Sequence, residues 1–534
     1  MTSSNGPGRR FDGIVIGSGP NGLVTAAYLA KAGLRIAVVE RNAVAGGGCS
    51  TEEVTLPGFR HNLHSNFHAI GAGPVTRDLE LERHGLRYLY PEVQHTFIFR
   101  DDRAITLYAD VERTVTSIGR FSPGDARRYA EVHDRFGPGP LGVFLRRSLF
   151  MPPLTDDELA ERLADGDAGR EYLHFRTLSL YEAVDELFED DRVRTVVKLH
   201  CHGSAYEDAP GTGHFVLRVV ARSGWSGLAV GGSAALARAL VSVVEENGGV
   251  VFTRTPVRRV LVSGGSARGV ELDDGRTIAA DRFVVSSLDP AGTLRLVGED
   301  ALGADVADGM REYRHAAWSL ATLHLALAEP PHYRAAERDP DVDRAYGVYF
   351  GADSTDELRA NFAAIARGEL PERFAGNGAC NTRFDPSQAP AGGHTAFWWP
   401  FAPYAIGTGG PAAWDDRRDE IGERILREWA TYAPNLGHAR VVLGRHLFTP
   451  IDIERNIPNM VRGSHHGGSY RPGQVDASRP TPALARYRTP VEGLYLTGAS
   501  THPGGSINGA PGYNTANAIA DDLGIEPWWT PVGR

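Results

Sequence analysis

The sequence predicts an α/β fold with more than one lobe. Three observations predict it. Residues 11–33 read as an apolar strand, a glycine turn and an apolar helix in immediate succession. A second strand of the same kind, Leu494-Tyr495-Leu496, stands near the other end of the chain and is followed by a glycine loop and a further helix. The length, 534 residues, exceeds what one hydrophobic core serves.

The opening unit carries the strongest signal. Phe11–Ile16 is a short apolar run rich in β-branched residues, as in a strand buried on both faces. Gly17-Ser18-Gly19-Pro20-Asn21-Gly22 follows at once, then a helix on which Leu23, Ala26, Ala27 and Ala30 share a face. Gly33 stops that helix, and Arg35–Val39 is a second strand ending at Glu40. Gly17 permits the tight turn, Gly19 admits a pyrophosphate, and Gly22 lets helix and strand approach. The helix N-terminus offers free N–H groups to phosphate. Glu40 stands 18 residues past Gly22, where an acid grips a ribose 2′-hydroxyl and disfavours a 2′-phosphate. Arg41 follows it. Gly46-Gly47-Gly48 then forms a second turn able to bring backbone N–H groups to a diphosphate. An NAD domain does not need that second turn. The layout resembles the glutathione-reductase-like flavoprotein fold, whose members bind FAD with it.

Later elements complete such a sheet. Gly227–Leu240 opens a helix running to Glu246. Gly249–Val260 and Ser266–Leu272 read as strands joined at Gly264-Gly265, and Asp274-Gly275 marks another hairpin. Ala280–Ser286 is the returning strand. After Thr497-Gly498-Ala499 the glycines 504, 505, 509 and 512 form a loop, and Tyr513–Leu523 reads as a helix.

Composition excludes several classes. Hydrophobic residues make up 42% and charged residues 23%, as in a globular protein. With 63 glycines and 33 prolines, turns are abundant. The net charge of −10 disfavours a nucleic-acid partner, which needs clustered basic residues. Lys31 and Lys198 are the only lysines, a skew that tracks base composition. Cys49, Cys201 and Cys380 form no C-x-x-C, which argues against a disulfide framework or zinc ribbon. The N-terminus is polar without an apolar signal segment, and no run of 18 apolar residues occurs. The expectation is a cytoplasmic protein, with peripheral membrane contact as an alternative. The sequence sets no oligomeric state.

Two segments, Cys49–Gly71 and Val491–Leu523, resemble the phytoene desaturase-like flavoprotein family, which includes bacterial-type phytoene desaturases, carotene isomerases, retinol saturase and an uncharacterised branch. In bacterial-type members an Arg follows the second glycine pair. Here Gly48-Cys49 stands there, as in the uncharacterised branch. The resemblance implies a discontinuous FAD-binding Rossmann-like domain of glutathione-reductase/amine-oxidase type (1–75, 220–300 and 485–534) with an inserted α+β substrate domain (76–219 and 301–484). It implies that Gly17, Ser18, Gly19, Pro20, Asn21, Gly22, Glu40, Arg41, Gly46, Gly47 and Gly48 bind FAD. Val257 passes the adenine, and Gly498, Ala499, Ile507 and Asn508 border the flavin. A helix N-terminus at the flavin pyrimidine edge would stabilise charge developing on reduction. FAD is expected to be bound non-covalently, because Cys49 falls at the ribityl end.

The implied reaction is desaturation of a C–C bond in an apolar or amphipathic small molecule, with hydride transfer to flavin N5. Amine-oxidase-like C–N dehydrogenation, redox-neutral isomerisation and a non-catalytic partner-binding role are the alternatives. No second dinucleotide turn has strand, helix and acid; Gly407–Gly410 lacks them. The electron acceptor is therefore oxygen or a quinone. His502, in Thr501-His502-Pro503-Gly504, is the expected acid or base beside the flavin, with His64 as second candidate. His61, His64 and His68 would share a face on a helix, but Asn62, Ser65 and Asn66 do not favour one, and no metal is expected. His465-His466 reads as a loop. Phe397–Phe401 with Tyr404 reads as a core strand or the wall of an apolar tunnel. Leu141–Leu154, with Arg146 and Arg147 and no acid, reads as a buried substrate-lobe helix or a membrane-surface one.

Overall fold

The computed structural model describes residues 10–222 and 226–533. The expectation for the polar N-terminal run, residues 1–9, lies outside them. Strand β1 (Arg10–Ile16) is central, flanked in parallel by β2 (Ile36–Val39) and by Thr277–Ser286. Val250–Phe252 extends the sheet beyond β2, and Leu494–Leu496 pairs in parallel with Thr277–Ser286. The antiparallel strands Val257–Ser263 and Ser266–Leu272 finish the other edge. The expected strand from Gly249 to Val260 is two strands, because Pro256 has no N–H to donate and Arg254 takes a positive φ of 51°.

Helix α1 (Pro20–Lys31) starts three residues before the expected Leu23, since Pro20 presets φ at the first helical position. Leu23, Val24, Tyr28 and Leu29 are fully buried between the helices Ala234–Glu246 and Ala510–Leu523. Each such side chain contributes roughly 1.5–3 kcal/mol relative to an exposed one. The other sheet face packs Leu296, Leu302 and Met310, so both faces are covered, as parallel strands require.

A second sheet of eight strands draws on residues 93–108 and 319–448. Strand His394–Ala402 runs through it. Period-two alternation divides its aromatics. Trp398 stacks on Phe350 in one core, while Trp399 and Phe401 face the opposite side. Helices from residues 123–221 pack over that opposite side. Among the described residues no helix is long and apolar enough to cross a membrane.

Candidate functional site

A cleft of about 530 Å³ opens at the C-terminal ends of β1 and β2, where parallel sheets place ligands. Gly17, Gly19, Pro20, Asn21 and Gly22 line it from the first turn, Glu40 and Arg41 from the end of β2, and Gly47 and Gly48 from the second turn. Gly19 is the N-cap of α1, with φ −62° and ψ 165°. A Cβ built there meets no protein atom within 4 Å and points into free space. At Gly22 a Cβ would stand 2.4 Å from the Gly17 carbonyl oxygen, so that glycine serves packing. The unpaired N–H groups of the first helical turn face the cleft with no acidic side chain in that turn.

Glu40 is only 6% exposed. Its Oε2 accepts from the Ser18 N–H at 2.9 Å and the Ser18 hydroxyl at 2.7 Å, and its Oε1 accepts from the Asn42 N–H at 2.8 Å. Oε1 keeps a lone pair for a ligand hydroxyl. Ser18 therefore lies behind the cleft wall and orients the acid. Gly46, which donates to the Ser18 carbonyl at 3.1 Å, also lies behind it.

Val257, Gly498, Ala499 and Ile507 line the cleft. Asn508 does not. Its side chain donates to the Gly505 carbonyl at 2.6 Å and accepts from the Ala510 N–H at 2.8 Å, so it clamps the loop. Sequence reasoning missed Asp289, Arg295, Asn459 and Met460, which also line the cleft. Asp289 caps the helix Pro290–Val297 through the Ala291 and Gly292 N–H groups. The Asn459 amide bonds the Asp289 N–H and, at 3.2 Å, the Ser287 carbonyl. A dipeptide Asp-Pro after a strand was the available signal for that cap.

A second cavity, about 120 Å³, adjoins the cleft. The two share Gly48, Met460, His465, Ser506 and Ile507 as wall. His64, His466, Trp399 and Phe401 also line this cavity, where the buried His64 ring has the Asn456 side chain as its polar neighbour. Burial pushes His64 and His465 down to about 4, so both imidazoles are uncharged at neutral pH. The loop expectation for His465-His466 stands, but the loop forms the wall itself.

His502, expected beside the flavin, does not line the large cleft. Its buried ring points to the Ser148 carbonyl at 3.3 Å and to Asp476 at 3.9 Å. It lines a separate void of about 20 Å³ with Leu145 and Tyr172. Burial lowers its basicity, with the Asp476 carboxylate opposing that shift. The other histidines of the early run take separate partners. His61 bonds Thr55 at 2.8 Å, and His68 bonds Tyr88 and Ser233, each at 2.7 Å. His61 and Asn62 form a short strand, not a helix. Cys49 is buried, and desolvation raises its thiol to about 11. The helix Pro140–Ser148 buries Gly142 and Leu145 against a third cavity, leaving Val143 40% exposed.

The chain matches the family model for flavin containing amine oxidoreductase over residues 21–520 and belongs to that family. It is 32% identical to a component of the limonene dehydrogenase of Castellaniella defragrans, across 98% of this chain and 96% of that one. It is 27% identical to hydroxyneurosporene desaturase of Cereibacter sphaeroides, across 96% and 97%. In fold it resembles cyclohexylamine oxidase of Brevibacterium oxydans, with TM-score 0.59, 15% identity and coverage of 96% and 99%. The protein is thus an FAD-dependent oxidoreductase with dehydrogenase and desaturase relatives, as its sequence resemblance implied. The cleft fits that cofactor: open space at Gly19, free helical N–H groups and an oriented buried acid suit an extended dinucleotide.

Proposed function

We propose that the protein desaturates a C–C bond of an apolar or amphipathic small molecule. FAD lies in the large cleft and the reacting bond sits in the adjoining histidine-lined cavity. The observation that carries this reading is the wall shared by the two spaces at Gly48, Met460, His465, Ser506 and Ile507. The curated relatives, named for limonene and hydroxyneurosporene, support an apolar substrate.

FAD, when bound, would supply the acceptor for the electron pair and one hydrogen of the C–H bond that breaks. The protein's own residues do the rest. The α1 N-terminus holds the central diphosphate of the dinucleotide and Glu40 holds the ribose of its adenosine half. Trp399 and Phe401 exclude water and align the apolar substrate. His64, uncharged and lining the cavity, takes the proton from the neighbouring carbon and passes it to solvent. The second substrate is oxygen or a quinone.

Anaerobic mixing with a panel of monoterpenes, carotenoids and primary amines tests this. Loss of the flavin's visible absorbance with an apolar alkene, and none with amines, is expected. Bleaching by amines alone would replace the reading with C–N dehydrogenation.

A further inference from the structure

We propose that the substrate carries a carboxylate, which docks on Arg222 at the junction of the histidine-lined cavity and the apolar cavity beside helix Pro140–Ser148. The inference deepens the proposed function and rests on it for the substrate's position. The apolar cavity, about 110 Å³, is walled by Phe136, Leu145, Phe150 and Phe215. Ala69, Arg222 and Ser506 line both spaces.

The charge pattern is one-sided. The chain has 66 acidic against 56 basic residues, yet among the described residues no Asp or Glu lines either cavity. The charged side chains that do are Arg146, Arg218 and Arg222. Two of these are engaged. Arg146 bonds the Gly137 carbonyl, and Arg218 donates to the Tyr172 hydroxyl at 3.3 Å. Arg222 differs from both. Among the described residues its guanidinium makes no ion pair, and its hydrogen bond runs from the backbone N–H to the Val219 carbonyl at 3.2 Å.

Position explains how the charge is tolerated. Arg222 is the C-cap of helix His214–Ala221, where the helix field favours a cation. A half-buried guanidinium without a carboxylate partner presents paired N–H donors to a ligand anion, and a carboxylate matches them two by two. The bordering histidines cannot share this task. Burial holds His64, His95 and His465 near 4, so they offer hydrogen bonds without charge. A chain anchored at Arg222 runs through the histidine-lined cavity and presents its carbons at the wall of His465 and Ile507. The apolar cavity, whose charged lining groups are all cationic, is its way in.

Calorimetric titration of the FAD-loaded protein with octanoate, octan-1-ol and octyl phosphate tests the site. Octanoate is expected to bind at least about tenfold more tightly than octan-1-ol, the effect of one charge-assisted pair. Arg222→Gln should abolish that preference and Arg222→Lys should keep part of it, with FAD content and thermal midpoint confirming that each variant folds. Equal binding of acid and alcohol, or a preference that survives in Arg222→Gln, would overturn the inference. Tighter binding of octyl phosphate than of octanoate would overturn the carboxylate and assign a phosphate. If a neutral alkene reduces the flavin while octanoate shows no preference, the proposed function stands and this inference falls. If the Arg222-dependent preference holds and no alkene or acid reduces the flavin, the docking site stands and the desaturase reading falls.

Discussion

Gly19→Val separates cofactor binding from folding. The Gly19 backbone, at φ −62° and ψ 165°, is open to any L-residue, and a Cβ there meets nothing within 4 Å. The FAD-free variant should therefore be as stable as the FAD-free parent, or more so by about 0.4–1 kcal/mol, because replacing glycine narrows the unfolded ensemble. The added side chain nevertheless fills the space through which a diphosphate reaches the α1 N-terminus. At FAD one hundredfold above its Kd, ligand linkage stabilises the parent by about 2.7 kcal/mol. The variant should show none of that gain and should purify colourless. Thermal unfolding with and without added FAD, together with flavin content, reads both effects. Stoichiometric FAD in Gly19→Val would refute the placement of the diphosphate. An unfolded apoprotein would refute the claim that this glycine serves the ligand and not the fold. Gly22→Val is the contrasting control, since its Cβ meets the Gly17 carbonyl oxygen at 2.4 Å and overpacking costs about 1–3 kcal/mol.

Glu40→Ala should weaken FAD binding and also destabilise the FAD-free protein by about 1–3 kcal/mol, because the Ser18 and Asn42 N–H groups lose their acceptor; denaturant unfolding of the apoprotein checks the second effect. The buried histidines make stability fall with acid: His64 moves from 6.5 unfolded to about 4 folded, so the unfolded chain binds more protons between those values. That group's contribution is intact above pH 6.5 and falls by about 3 kcal/mol as pH drops to 4. Urea midpoints at pH 7 and pH 5 should show the loss, and His64→Gln should reduce it by about 2 kcal/mol, the share of that one group among the buried histidines. His502→Ala should leave single-turnover flavin reduction within about threefold of the parent, since its ring lies off the cleft; a loss of 10²-fold or more would return it to the role of base.

The first turn and Glu40 were legible in the sequence because their geometry is local. One strand, one turn and one helix fix where each glycine stands, and a fixed spacing brings the acid to the same edge. The strand at Phe397–Phe401 was legible too, but which aromatics face the cavity depends on a sheet assembled from distant segments. Asp289, Asn459 and Met460 reach the cleft on separate chain passes, and no local period marks their arrival. Arg222 is one residue beyond an apolar helix and reads alone as an ordinary cap. His502 misled for a physical reason. Ala499 does line the cleft, but the Thr501 N–H bonds the Gly498 carbonyl at 3.1 Å and reverses the chain. The Tyr487 hydroxyl then holds the His502 carbonyl at 3.1 Å, which turns the ring toward Ser148.

The loop beyond that turn links the whole site. Gly505, Ser506, Ile507 and Asn508 contribute to the cofactor cleft, the histidine-lined cavity and the apolar cavity, and Ser506 lines all three. Ser506 and Ile507 take φ values of 77° and 47°. A β-branched residue in that region is strained by about 1–3 kcal/mol, and such strain persists only where surrounding structure over-determines it. Here the restraint is visible on both sides. The Gly505 N–H donates to the Tyr470 hydroxyl at 2.8 Å, and the Asn508 amide ties Gly505 to the start of the helix Ala510–Leu523. That helix is in turn wedged against α1, whose N-terminus faces the same cleft. Cofactor-binding turn, substrate wall and strained loop therefore form one mechanically continuous unit. Ile507 stands in the wall shared by the large cleft and the histidine-lined cavity, the place the proposed function gives to the meeting of flavin and substrate, and its backbone is held by packing that the ligand need not supply.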